Sequence, residues 1–111
     1  MVRGEGSGLK TARIRPQGPL DITTSGEFRD RAWRLIEEGV RHLIVDFGDV
    51  SAIDSSGIAK MLAVRKRLAD AGGKMTVENI TRPEIRKMFE TLLLHTLMEI
   101  RDSVKEAEES R

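Results

Sequence analysis

Ile44-Val45-Asp46-Phe47, followed by Val50 and then by Ile53-Asp54-Ser55-Ser56-Gly57-Ile58, is the stretch that decides how this chain folds. The apolar run Leu43 to Phe47, broken only by Asp46, predicts a central strand buried on both faces, as strands of parallel sheets are. A short loop follows, and Asp54 then stands where a helix N-cap belongs, with two adjacent hydroxyls in the first turn. The helix beyond carries Ile58, Met61, Leu62, the stem of Arg65 and Leu68 at helical spacing, and Gly72-Gly73 ends it. A helix start offers free N–H groups and the positive end of the helix dipole, so negative charge is favoured there. A serine in that place can be switched covalently without the chain refolding.

Working outward, Lys10 to Gln17 reads as a weak strand, with Ala12 and Ile14 on one face and Pro16 confining it to a sheet edge. Gly18-Pro19-Leu20-Asp21 is turn chemistry. Thr24 and Glu27 have capping-box spacing and start a helix whose apolar face is Phe28, Ala32, Leu35 and Ile36, stopped at Gly39. Lys74 to Glu78 predicts a further strand. Thr81 and Glu84 repeat the capping-box spacing, with Pro83 in the first turn and Ile85, Met88, Phe89 and Leu92 as the buried face. Leu97 to Ile100 is expected as a last strand, and Ser103 with Glu106 as the start of a polar tail helix.

Strands alternating with helices predict a single α/β domain over 9–111, preceded by a loose segment, 1–8. The expected architecture is a mostly parallel central sheet of about four or five strands covered by about four helices. At 111 residues the chain is long enough to bury one core without staples.

Composition removes several function classes. The 19 Lys and Arg nearly balance 18 Asp and Glu, and a net charge of +1 gives no electrostatic case for nucleic acid. With no cysteine, disulfides, thiolate metal sites and cysteine nucleophiles are excluded. No apolar run approaches the about 18 residues of a membrane span, and no signal-peptide core is visible, so membrane insertion is not expected and the expected setting is cytoplasmic.

Catalytic machinery is not evident either. His42 and His95 fall on different elements, and no metal-ligand spacing joins them to carboxylates, so no metal or cofactor is expected. No nucleophile elbow, P-loop or dinucleotide fingerprint is present. Asp46, Asp49 and Asp54 could gather around a cation, but Asp49 suits a turn and Asp54 a helix cap. From residue chemistry alone, Ser55 and Ser56 read first as favourable first-turn residues after an Asp cap, with a functional serine the lesser alternative.

Asp54-Ser55-Ser56-Gly57, with the strand before it and Ile58-Ala59-Lys60-Met61-Leu62 after it, resembles the STAS family of anti-sigma factor antagonists. Gly18-Pro19-Leu20-Asp21 resembles the family's Gly-Glu-Leu-Asp turn, with Pro19 in place of Glu. Gly72-Gly73-Lys74-Met75-Thr76-Val77 resembles its turn into the next strand, and Leu94-His95-Thr96-Leu97 its Gly-Leu segment without the Gly. The resemblance implies a STAS-like fold with no enzymatic activity of its own, and Ser55 as phosphoacceptor with Ser56 the second choice. It implies partner contacts through Asp21, Asp54, Ser55, Ser56, Gly57, Ile58 and Lys60. The implied partners are an anti-sigma factor that is also a serine kinase, a serine phosphatase, and further STAS proteins or copies of this chain. The unphosphorylated form would bind the anti-sigma factor and release its sigma factor; phosphorylation would end that binding with little change of fold.

Two departures matter. Residues 1–8 supply almost nothing for the first strand that family members carry, which leaves either a degenerate strand or an edge for a partner. Lys60, Arg65, Lys66 and Arg67 make the central helix basic, either as a solvated face or as a contact for an acidic partner. Ile58-Ala59-Lys60 is similar to scaffold antagonists of stressosome assemblies, and a STAS subunit of a membrane-transport assembly is the other alternative. A serine hydrolase lacks a histidine in any triad context.

Overall fold

The computed structural model describes residues 10–101. Four parallel strands form the main sheet in the order β1–β3–β5–β6: β1 Lys10–Ile14, β3 Val40–Asp46, β5 Lys74–Glu78 and β6 Glu99–Arg101. A separate pair, β2 Gly18–Leu20 and β4 Val50–Ile53, also runs parallel. Three helices link them, α1 Ser25–Glu37, α2 Ser55–Asp70 and α3 Pro83–Thr91, with a single 3₁₀ turn at Leu94–Thr96. The expected tail helix and the N-terminal segment lie outside the described residues.

The two faces of the main sheet differ chemically because side chains alternate along each strand. One row runs Ile14, Val45, Val77 and Ile100 in register, and these residues join the core beneath α1, α2 and α3. The neighbouring row runs Arg13, Ile44, Thr76 and Glu99, on the face turned away from that core. There the buried Glu78 pairs with Arg13 and, at 3.9 Å, with Arg101. Thr76, fully buried, donates its hydroxyl hydrogen to Glu99 at 3.0 Å and therefore accepts from His42 Nε2 at 2.8 Å. That bond fixes the proton of neutral His42 on Nε2.

Several expectations need correction. Gly18–Leu20 and the segment before Asp54 are strands, where turn and loop were expected. At three and four residues they are too short to show periodicity, and Pro19 hides a strand that has an edge to spare. The first strand stops at Ile14, before Pro16, and lies at the sheet edge as expected. Neither capping box forms. Thr24 occupies the N-cap position, but its hydroxyl donates to the Pro19 carbonyl at 2.7 Å; the third helix is capped by Arg82 rather than Thr81, without a side-chain bond. The last strand begins at Glu99, and Leu97 is 44% exposed.

Candidate functional site at the start of the central helix

β2 and β4 end side by side, Leu20 opposite Ile53, so the two loops that follow them are neighbours. One leads into α1 and the other into α2. The Asp54 N–H donates to the Leu20 carbonyl at 3.3 Å, tying the second loop to the first strand. Asp54 caps α2 as expected: its backbone is extended, and its Oδ1 accepts from the Gly57 N–H at 3.1 Å. Gly57 is there for lack of space. A Cβ at that position would stand 2.3 Å from the Leu20 carbonyl oxygen and 2.7 Å from Ile53 Cγ1.

That seat fixes the two serines differently. Ser55 is exposed on the outer ridge of α2, whereas Ser56 is half-buried. Ser55 also borders an open groove of about 770 Å³ between α2 and α3, floored by Ile58, Leu62, Met88 and Leu92 and edged by Glu84 and Lys87. The groove was not legible in the sequence. Its one signal was Leu92, which continues the apolar face of α3 yet is 50% exposed.

The other expected contact residues are only partly gathered. Ser55 and Ile58 line the groove; Asp54, Ser56 and Gly57 build the helix start beside it. Asp21 lies in the adjacent loop, but its carboxylate is turned into its own turn. It accepts from the Thr23 hydroxyl at 2.8 Å and the Thr23 N–H at 3.0 Å, bonds that hold it below the usual carboxylate range. What this loop presents to solvent is Ile22, 77% exposed. Sequence reasoning missed Ile22, although an isoleucine between Asp21 and Thr23 is out of place in a polar turn.

Lys60 lies on α2 but not in the groove, and among the described residues it has no ion-pair partner. The rest of the basic stretch is engaged within the molecule. Arg65 donates to the Leu97 carbonyl at 2.8 Å, Lys66 pairs with Asp70 at 3.1 Å, and Arg67 lies over the Trp33 ring at 4.8 Å, as Arg29 does at 4.9 Å.

The three aspartates do not gather around a common point. Asp46 accepts from the Gly48 N–H at 2.8 Å and Asn79 at 3.1 Å, Asp49 takes Arg15 at 2.8 Å, and Asp54 caps its helix. Neither histidine borders the groove: His42 bonds Thr76 on the sheet, and His95 lies exposed in the 3₁₀ turn. No helix among the described residues is long and apolar enough to cross a membrane.

With that geometry in place, residues 10–107 match the STAS domain. The chain belongs to the STAS domain family. Among solved structures, the unphosphorylated anti-sigma factor antagonist SpoIIAA is 26% identical, with a TM-score of 0.67 over 100% of this chain and 92% of that one. The phosphorylated form of SpoIIAA, a Bacillus cell fate determinant, is 25% identical, with a TM-score of 0.65 over 91% of each chain. A protein of Thermotoga maritima, TM1081, superposes with a TM-score of 0.79 over 90% of this chain and 86% of its own. At 19% identity that last likeness speaks for the fold alone.

Proposed function

We propose that this STAS domain is an anti-sigma factor antagonist whose binding surface is switched at Ser55. The unphosphorylated form binds an anti-sigma factor that is also a serine kinase, and so releases a sigma factor. The kinase transfers the γ-phosphoryl group of ATP to Ser55 Oγ, whose proton leaves as ADP forms. A serine phosphatase restores the hydroxyl by hydrolysis. The setting this requires is cytoplasmic, where ATP and sigma factors meet.

One observation carries the reading: Ser55 is an exposed hydroxyl at the dipole-positive end of α2 and stands at the lip of an apolar groove. SpoIIAA, a protein with this fold, has been solved in both a phosphorylated and an unphosphorylated form. Phosphate adds about −1.5 to −2 charges at neutral pH. The helix dipole favours that charge by typically about 0.3–1 kcal/mol when exposed, so the domain keeps its fold. The penalty falls on a partner that must pack over the serine beside Asp54.

The test is incubation with ATP and candidate anti-sigma factor serine kinases, followed by mass mapping of the phosphate. Label on Ser55, abolished by Ser55→Ala, is the expected result. Label on Ser56 would move the switch by one residue, and no label on either would overturn the reading. Co-purification of transporter subunits instead of a kinase would favour a role in a membrane-transport assembly.

A further inference from the structure

The groove beside Ser55 is edged by one cation. Lys87, on α3, lines it together with Ser55, and among the described residues Lys87 is exposed and makes no ion pair. Two acidic groups sit close by: Glu84, one turn earlier on α3 and also lining the groove, and Asp54, whose carboxylate is held by the Gly57 N–H. The groove floor between them is apolar, formed by Ile58, Leu62, Met88 and Leu92.

We propose that Lys87 is the intramolecular receiver of phosphate on Ser55, and that their ion pair spans the α2–α3 groove and covers its apolar floor. The inference rests on Ser55 being the modified residue and adds how the modification acts on the surface. An ammonium without an ion-pair partner among the described residues, on a flexible four-carbon stem, lines the same groove as a hydroxyl that would gain about −1.5 to −2 charges. Glu84 and Asp54 repel the same phosphate and leave Lys87 as the group on this rim that lowers its energy. When the ammonium moves to the phosphate, its methylene stem lies along the apolar floor, as lysine stems do on apolar surface. Phosphorylation then does two things at once. It places charge at the lip of the groove, and it removes apolar area that a partner would bury.

The experiment uses the full chain with phosphoserine encoded genetically at position 55, so that no kinase is needed. The probe is a ³¹P NMR titration of the phosphate, with methyl spectra of Met88 and Leu62 recorded alongside. With Lys87 present, the second phosphate pKa is expected about half a unit lower than in Lys87→Gln, with the shift fading at high salt. Lys87→Arg should retain it, and Glu84→Gln should deepen it. The Met88 and Leu62 methyls should shift on phosphorylation in the parent chain and much less in Lys87→Gln. Equal pKa values in the parent and Lys87→Gln chains, or groove methyls indifferent to Lys87, would overturn the proposal. A failure of kinase labelling at Ser55 would sink the functional reading while leaving this titration unaffected.

Discussion

The first turn of α2 touches the backbone of β2: Gly57 sits so close to Leu20 that a methyl group at its Cα would lie 2.3 Å from the Leu20 carbonyl oxygen. The atom in the way is backbone, held by β2's pairing with β4 and by the N–H of Asp54. Gly57→Ala must therefore push the helix start away from the strand pair. Overpacking of this kind costs about 1–3 kcal/mol, and the lower denaturation midpoint should appear with the slope of the transition unchanged.

Asp54 is the only side-chain cap formed on the three described helices. Asp54→Ala leaves the Gly57 N–H without its acceptor and should lower stability by about 1 kcal/mol. Asp54→Asn keeps an acceptor oxygen and should lose much less. Urea denaturation of both variants checks the difference.

Leu93 adopts a left-handed backbone, φ 57° and ψ 35°, while 57% of it remains exposed. An L-residue in that region costs about 1–2 kcal/mol, and an exposed side chain recovers little of it by burial. Leu93→Gly removes that cost but adds freedom to the unfolded chain, so a net gain of about 0.5–1 kcal/mol is expected. A lower melting temperature for Leu93→Gly would count against the strain.

His42 titrates below its usual range, chiefly because burial disfavours its charged form and secondarily because Lys74 repels it. A histidine whose folded pKa is depressed contributes its full stability above the unfolded value, about 6.5. As pH falls below that value the unfolded chain takes up the proton first, and the contribution is lost by the time the folded pKa is passed. Glu99 and Asp21, whose pKa values are also held down, lose their contributions only in the carboxylate range, below His42's window. Denaturation midpoints at pH 7.5 and 5.5 should therefore differ more for the parent chain than for His42→Gln.

The sequence exposed the central strand and the helices because each spans enough residues to show a pattern: Leu43 to Phe47 as a buried run, Ile58 to Leu68 as a helical face. It hid β2 and β4, which are shorter than a readable pattern; Pro19 interrupts the first, and Asp21, Asp49 and Asp54 flank the two. Both capping boxes failed for a related reason. Thr24 has competing acceptors in the turn before it, and the backbone of Arg82 sets where α3 starts. At the site, the Asp54 cap was legible because a helix start demands a particular kind of side chain. The groove, Lys87 and Ile22 were not, because they depend on how separate elements come to lie beside one another.

The seat that β2 and β4 make for α2 also fixes which way a change at the helix start can act. The Leu20 carbonyl, the Asp54 N–H and Gly57 leave the helix start no room to retreat when its outer surface is altered. A group attached at Ser55 would stand on a helix start braced against backbone on its inner side. In the switch proposed for Ser55, the added group changes the surface that a partner meets and leaves the seat of the helix where it is.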